Sequence, residues 1–108
     1  MSWDINLEIN TGKKFVEVTE ERNITFNVSP MYYKAIKLED GVRGLHKMSA
    51  TKAIPILKNA INDMIQNSEE YKQLNPKNGW GNYEYALEIL QWLLKKCDDN
   101  PMCRIRIV

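Results

Sequence analysis

Polar and apolar residues alternate from the start of the chain. Ile5, Leu7 and Ile9 interleave with Asp4, Asn6 and Glu8, the period of two of a strand with one buried face. Asn10-Thr11-Gly12-Lys13 reads as a turn, with Gly12 free to take positive φ. Lys14 to Thr19 reads as the returning strand, with Val16 and Val18 on one face and Phe15 and Glu17 on the other. After the turn Glu20–Asn23, residues Asn23 to Val28 read as a third strand, with Ile24, Phe26 and Val28 inward. Short strands joined by short polar turns predict an antiparallel meander.

The period then changes. Ser29 is a suitable N-cap and Pro30 a suitable first helical residue, so a short helix is expected from Met31 to about Leu38. Val42 to Met48 reads as an irregular connection. Ser49 opens a longer helix in which Ala53, Ile54, Leu57, Ala60, Ile61, Met64 and Ile65 recur at three- and four-residue spacing. Pro55 interrupts it early and is expected to bend its start. A brief helical turn runs from Ser68 through Leu74. Asn82 caps a last helix, Tyr83 to about Cys97, with Ala86, Leu87, Leu90, Leu93, Leu94 and Cys97 on its apolar face. The tail alternates again, Cys103, Ile105 and Ile107 against Arg104 and Arg106, and reads as a docked strand. The expected fold is α+β: about four antiparallel strands with helices packed on one face, in one domain spanning 1–108. The other sheet face would carry Asn6, Glu8, Phe15, Glu17, Thr25, Asn27, Arg104 and Arg106, open to solvent or a second subunit.

Charge narrows the function classes. Fifteen basic and fourteen acidic side chains leave a net charge of +1, which argues against broad nucleic-acid binding. No apolar run approaches a membrane span, and Met1-Ser2-Trp3-Asp4 carries no leader pattern, so a cytoplasmic protein is expected. Cys97 and Cys103 fit no zinc spacing and are expected as reduced thiols, with His46 the lone histidine. No metal and no cofactor are expected. No phosphate loop, dinucleotide fingerprint or Gly-x-Ser-x-Gly occurs, and Glu84 and Glu88 share a helix face as surface glutamates commonly do, so no catalytic residue is assigned.

Two stretches carry candidate binding chemistry. The first is Leu74 to Tyr85, where Gly79 and Gly81 flank Trp80 among Asn75, Lys77, Asn78, Asn82 and Tyr83. Trp80 either folds back over the core or stacks on a planar ligand, with Lys77 meeting an anion and the Asn75 and Asn78 amides reading polar edges. The second is the junction of strand and helix, where Asn27, Ser29, Tyr32 and Lys34 could converge. Arg104 and Arg106 form either a charged, solvated edge or a phosphate-facing pair.

The pattern Asn-x-Thr-x-Asn-Val-Ser-Pro-Met at 23–31, and Leu-Asn-Pro-x-Asn-Gly-Trp-Gly-x-Tyr-Glu-x-Ala-Leu at 74–87, resembles a group of small uncharacterised proteins of bacteriophages, prophages and actinobacteria. The resemblance runs from Asn23 onward, excludes the N-terminal hairpin and brings no activity with it. It implies a setting, that of phage proteins opposing host defence. The expectation is a homo-oligomeric, non-enzymatic protein that sequesters a small nucleotide-like immune signal of the cyclic-nucleotide or ADP-ribose class. The alternative is a protein–protein inhibitor or adaptor acting on a host defence protein, through the outer sheet face with Phe15 or the helix surface around Trp92.

Overall fold

A computed structural model describes residues 1–108. The expected α+β architecture is present: four antiparallel strands and a layer of helices. The strands are β1 (Ser2–Asn10), β2 (Phe15–Glu17), β3 (Arg22–Thr25) and β4 (Arg104–Ile107). The helices are α1 (Ser29–Ala35), α2 (Ala50–Gln66), α3 (Ser68–Lys72) and α4 (Tyr83–Asp99).

Every strand pairs with β1. Ile5 is opposite both Arg22 and Ile107, and Glu8 is opposite both Glu17 and Arg104. A strand residue has one neighbour on each side, so β4 takes one edge of β1 while β3 and β2 share the other, end to end. In a simple meander β2 would lie between β1 and β3; here β1 is the centre. The free edge of β4 is covered by the chain entering α2: Lys47 N–H donates to the Ile105 carbonyl at 2.7 Å, and Ile105 N–H to that of Met48 at 2.9 Å. Lys47 holds a left-handed φ of 69° to make this fit.

Trp3, Ile5 and Leu7 of β1 join Ile24, Ile105 and Ile107 under the helices, in one cluster of 27 buried residues. α2 supplies Ala53, Leu57, Ala60 and Met64, and α4 supplies Ala86, Ile89, Leu90, Leu93 and Cys97, all with no exposed surface. On α4 Leu87 and Leu94 are half-buried, so its inward stripe runs through Ile89, one position round from the expected face, and on α2 Ile65 is exposed. Ser49 caps α2 by accepting from Lys52 N–H at 3.3 Å. Pro55 is tolerated on the exposed side of α2.

Four local expectations are corrected. β2 spans three residues, and Val16 and Val18 are 39% and 44% exposed, because β2 pairs only with the end of β1. β3 stops at Thr25, whose hydroxyl accepts from Asn27 N–H and starts a 3-10 turn over Phe26–Val28. Ser29 consequently lies inside α1 rather than capping it, and the cap position falls to Val28. α1 ends at Ala35, and extended backbone at Ile36 turns that side chain fully into the core.

The outer sheet face is not an open polar surface. Arg104 Nε donates to Glu8 at 2.6 Å, and its guanidinium lies 3.3 Å from the centre of the Phe15 ring. Arg106 pairs with Glu21 at 3.4 Å. The crossing from β2 to β3 stays on the edge of β1: Val18 N–H donates to the Leu7 carbonyl at 2.9 Å, and Leu7 N–H to the Thr19 hydroxyl at 3.0 Å. On this face Asn6 is fully buried, and neither polar atom of its amide has a partner.

Candidate functional site

The two stretches singled out in the sequence meet. Gly81, with φ of 89°, approaches the β3–α1 junction so closely that a Cβ would stand 2.9 Å from Thr25 Cγ2 and from Val28 Cγ1. Only glycine satisfies both the positive φ and the contact. Tyr85 of α4 donates its phenol to the Asn23 carbonyl at 2.5 Å, and Tyr32 of α1 donates to the Ala86 carbonyl at 3.0 Å. The start of α4 is thereby fastened to the junction at three points.

The loop between α3 and α4 is held from within by its asparagines. Asn75 Oδ1 accepts from Tyr83 N–H at 2.8 Å, Asn78 Oδ1 from Trp80 N–H at 3.0 Å, and Asn82 Oδ1 from Tyr85 N–H at 2.8 Å. Each serves a backbone donor that would otherwise be unpaired. Gly79, with φ of 76°, faces open space and completes the turn.

On this frame Trp80 is 71% exposed, beside exposed Lys77 and Asn78. The packing alternative for this tryptophan is set aside: the fold forgoes the roughly 1.5–3 kcal/mol that burial of a large apolar side chain contributes. The other aromatic side chains of this region are committed elsewhere. Tyr32 is fully buried, and Tyr83 is nearly so with its hydroxyl on the Met64 carbonyl at 2.7 Å. Tyr71 donates to Asp63, and burial raises its pKa well above the usual phenol value.

The remaining candidates are dispersed. Lys34 lies 3.8 Å from Glu70 and over the Tyr71 ring. Asn27 and Ser29 are half-buried at the junction. Asn75 is spent on the backbone of α4. Arg104 and Arg106 belong to the outer sheet face, each in an ion pair, and take no part in the loop. Lys77, Asn78 and Trp80 are the candidates left presented together.

Two further surfaces weighed for partner binding are self-engaged. Phe15 carries the Arg104 guanidinium on one ring face and is otherwise 40% exposed. Trp92 donates to Glu20 at 3.2 Å and lies under Arg22, 5.4 Å from its ring centre. Arg22 also forms a two-pronged pair with Glu88 at 2.6 and 2.7 Å, which holds the Glu88 carboxyl below its ordinary pKa. Burial holds both cysteines as free thiols, Cys97 pushed up to about 12. No group of three or more His, Cys, Asp and Glu side chains is placed to hold a metal, and no helix is long and apolar enough to cross a membrane.

A concavity that the sequence reading missed lies against α1. Tyr33, Asp40, Arg43, Gly44 and His46 line a polar groove of about 560 Å³. Its floor is a 3-10 segment, Gly41–Leu45, where an irregular connection was expected. The signal present in the sequence was the pair Gly41 and Gly44 bracketing Arg43 just ahead of the lone histidine.

No protein-family model matches the chain, and comparison with curated proteins and with solved structures finds none similar to it.

Proposed function

We propose that the chain is a non-catalytic binding protein that engages a partner protein through the Trp80 loop. The observation that carries this is Trp80 itself, 71% exposed on a turn pinned by three asparagine side chains. A tryptophan on a pre-ordered loop is an efficient anchor. It brings a large apolar area to an interface, and little loop ordering remains to oppose binding. The resemblance of 23–31 and 74–87 to small phage and prophage proteins suggests the class of partner, a bacterial defence protein blocked or bridged by contact.

Capture of a nucleotide-like ligand is the second reading of the same loop. It is favoured by Lys77, Asn78 and Trp80 standing exposed within four residues, a cation, an amide and a ring suited to a phosphate and a base. The three concavities of the single chain are lined by other residues, so in this reading a second copy supplies the opposing wall.

Native mass spectrometry, before and after incubation with bacterial lysate, separates the two. A protein-sized increment that is absent with Trp80→Ala supports the partner reading. A small-molecule increment on a dimer, lost with the same variant, replaces it with ligand capture. Increments unaffected by the variant overturn both.

A further inference from the structure

The groove beside α1 is built from close contacts. Gly41 holds φ of 58°, and a Cβ there would meet the Tyr33 ring at 3.1 Å. A Cβ on Gly44 would stand 3.0 Å from Leu38. The two glycines let the 3-10 segment press against α1 while the Tyr33 ring, 56% exposed, forms one wall.

His46 is oriented from behind. Its Nδ1 accepts the Ile107 N–H at 3.0 Å, so the ring proton resides on Nε2, which has no partner within the chain. The tautomer is set by the backbone of β4, which leaves one donor for the groove. Arg43 and Asp40 are exposed, and neither enters an ion pair. The adjoining residue is Lys47, in its left-handed conformation.

We propose that this groove binds a small ligand that carries an oxyanion, phosphate or carboxylate, on a planar ring. The Arg43 guanidinium offers paired donors matched to such a head group. The His46 Nε2–H adds a third donor, and the Tyr33 ring receives the planar body. Asp40 accepts from a hydroxyl or amine on the ligand and disfavours a second anionic group. The volume lies within the usual range for small-molecule sites. This site is independent of the Trp80 loop and shares no residue with it.

The test is an amide-resolved NMR titration of the intact protein with three probes: phenyl phosphate, benzoate and inorganic phosphate. Saturable shifts are expected at the Ile107 and Gly44 amides with phenyl phosphate or benzoate, and the tighter of the two names the head group. Inorganic phosphate should bind about tenfold more weakly, because it lacks the ring. Arg43→Gln should weaken the aromatic probes at least about tenfold with the rest of the spectrum unchanged. Tyr33→Leu should bring them down to the level of inorganic phosphate. No saturable shift up to roughly 10 mM probe, or equal affinity in Arg43→Gln, overturns the proposal.

Discussion

Gly81 rests against Val28, and a single methyl group added to it would come within 2.9 Å of Val28 Cγ1. That contact brings together two stretches more than fifty residues apart and fixes where the tryptophan loop stands on the fold. Gly79, two residues earlier, has the same sign of φ but open space around it. Comparing the two therefore separates backbone strain from packing. Gly79→Ala should cost about 1 kcal/mol, the strain of a left-handed alanine. Gly81→Ala should cost about 2–4 kcal/mol, because overpacking against Thr25 and Val28 adds to that strain. Urea denaturation of both variants checks the difference; equal losses would mean that the contact is slack.

Asn6 supplies a prediction of the opposite sign. Its amide is fully buried on β1 with no partner on either polar atom. An unmet buried amide costs about 1–3 kcal/mol, and a β-branched residue suits a central strand. Asn6→Val should therefore raise the unfolding free energy by about 1 kcal/mol or more, read as a higher urea midpoint at unchanged slope. A destabilised variant would show that the amide is bonded after all.

His46 should make stability depend on pH. Burial, then the positive charges of Lys47, Arg43 and Arg104, hold its pKa below the ordinary 6.5, with Glu8 opposing. Protonation would also break the bond from Ile107 N–H. The unfolded chain takes up this proton near 6.5 and the folded chain resists it. The histidine's contribution is thus complete above 6.5 and declines as pH falls from there to the folded value. The Arg22–Glu88 pair acts in a separate window: Glu88 is held below its ordinary 4.5, so its contribution is lost only at lower pH. Thermal melts from pH 8 down to about 2 should show two declines, and His46→Asn should abolish the upper one alone.

Lys47 carries a left-handed backbone so that its N–H can reach the Ile105 carbonyl and close the edge of β4. Lys47→Gly keeps that bond without the Cβ conflict. It should stabilise by up to about 1 kcal/mol, visible as a raised melting temperature. A loss of stability would place the benefit in the lysine side chain.

Much of the fold was legible because burial leaves a period. β1 and β4 alternate, α2 and α4 repeat at helical spacing, and Ser49 and Asn82 cap where their chemistry predicts. The errors fall where a period is compatible with two structures. Ile24, Phe26 and Val28 keep a strand-like spacing, yet Thr25 turns the backbone into a 3-10 segment and Phe26 tilts against Trp3 with ring centres 4.2 Å apart. Val16 and Val18 mark a face of the strand expected over Lys14–Thr19, but alternation cannot say whether another layer stands over it. The site divided in the same way. The loop of Trp80 was readable from its glycines and asparagines, whereas Tyr32 and Tyr83 looked alike in sequence and proved to be core residues bonded to distant carbonyls. The groove of Tyr33, Arg43 and His46 had only the Gly41–Gly44 pair as a local signal, because its histidine is set by Ile107, sixty-one residues away.

We propose that Trp80 is displayed for a partner rather than used by the fold. The most direct measurement is quantitative recovery of partner from bacterial lysate on wild type and on Trp80→Ala, matched for folded protein by urea denaturation. The variant should keep its unfolding free energy within about 0.5 kcal/mol while recovery of the wild-type partner falls at least about tenfold. Equal recovery, or a variant that unfolds, would contradict it.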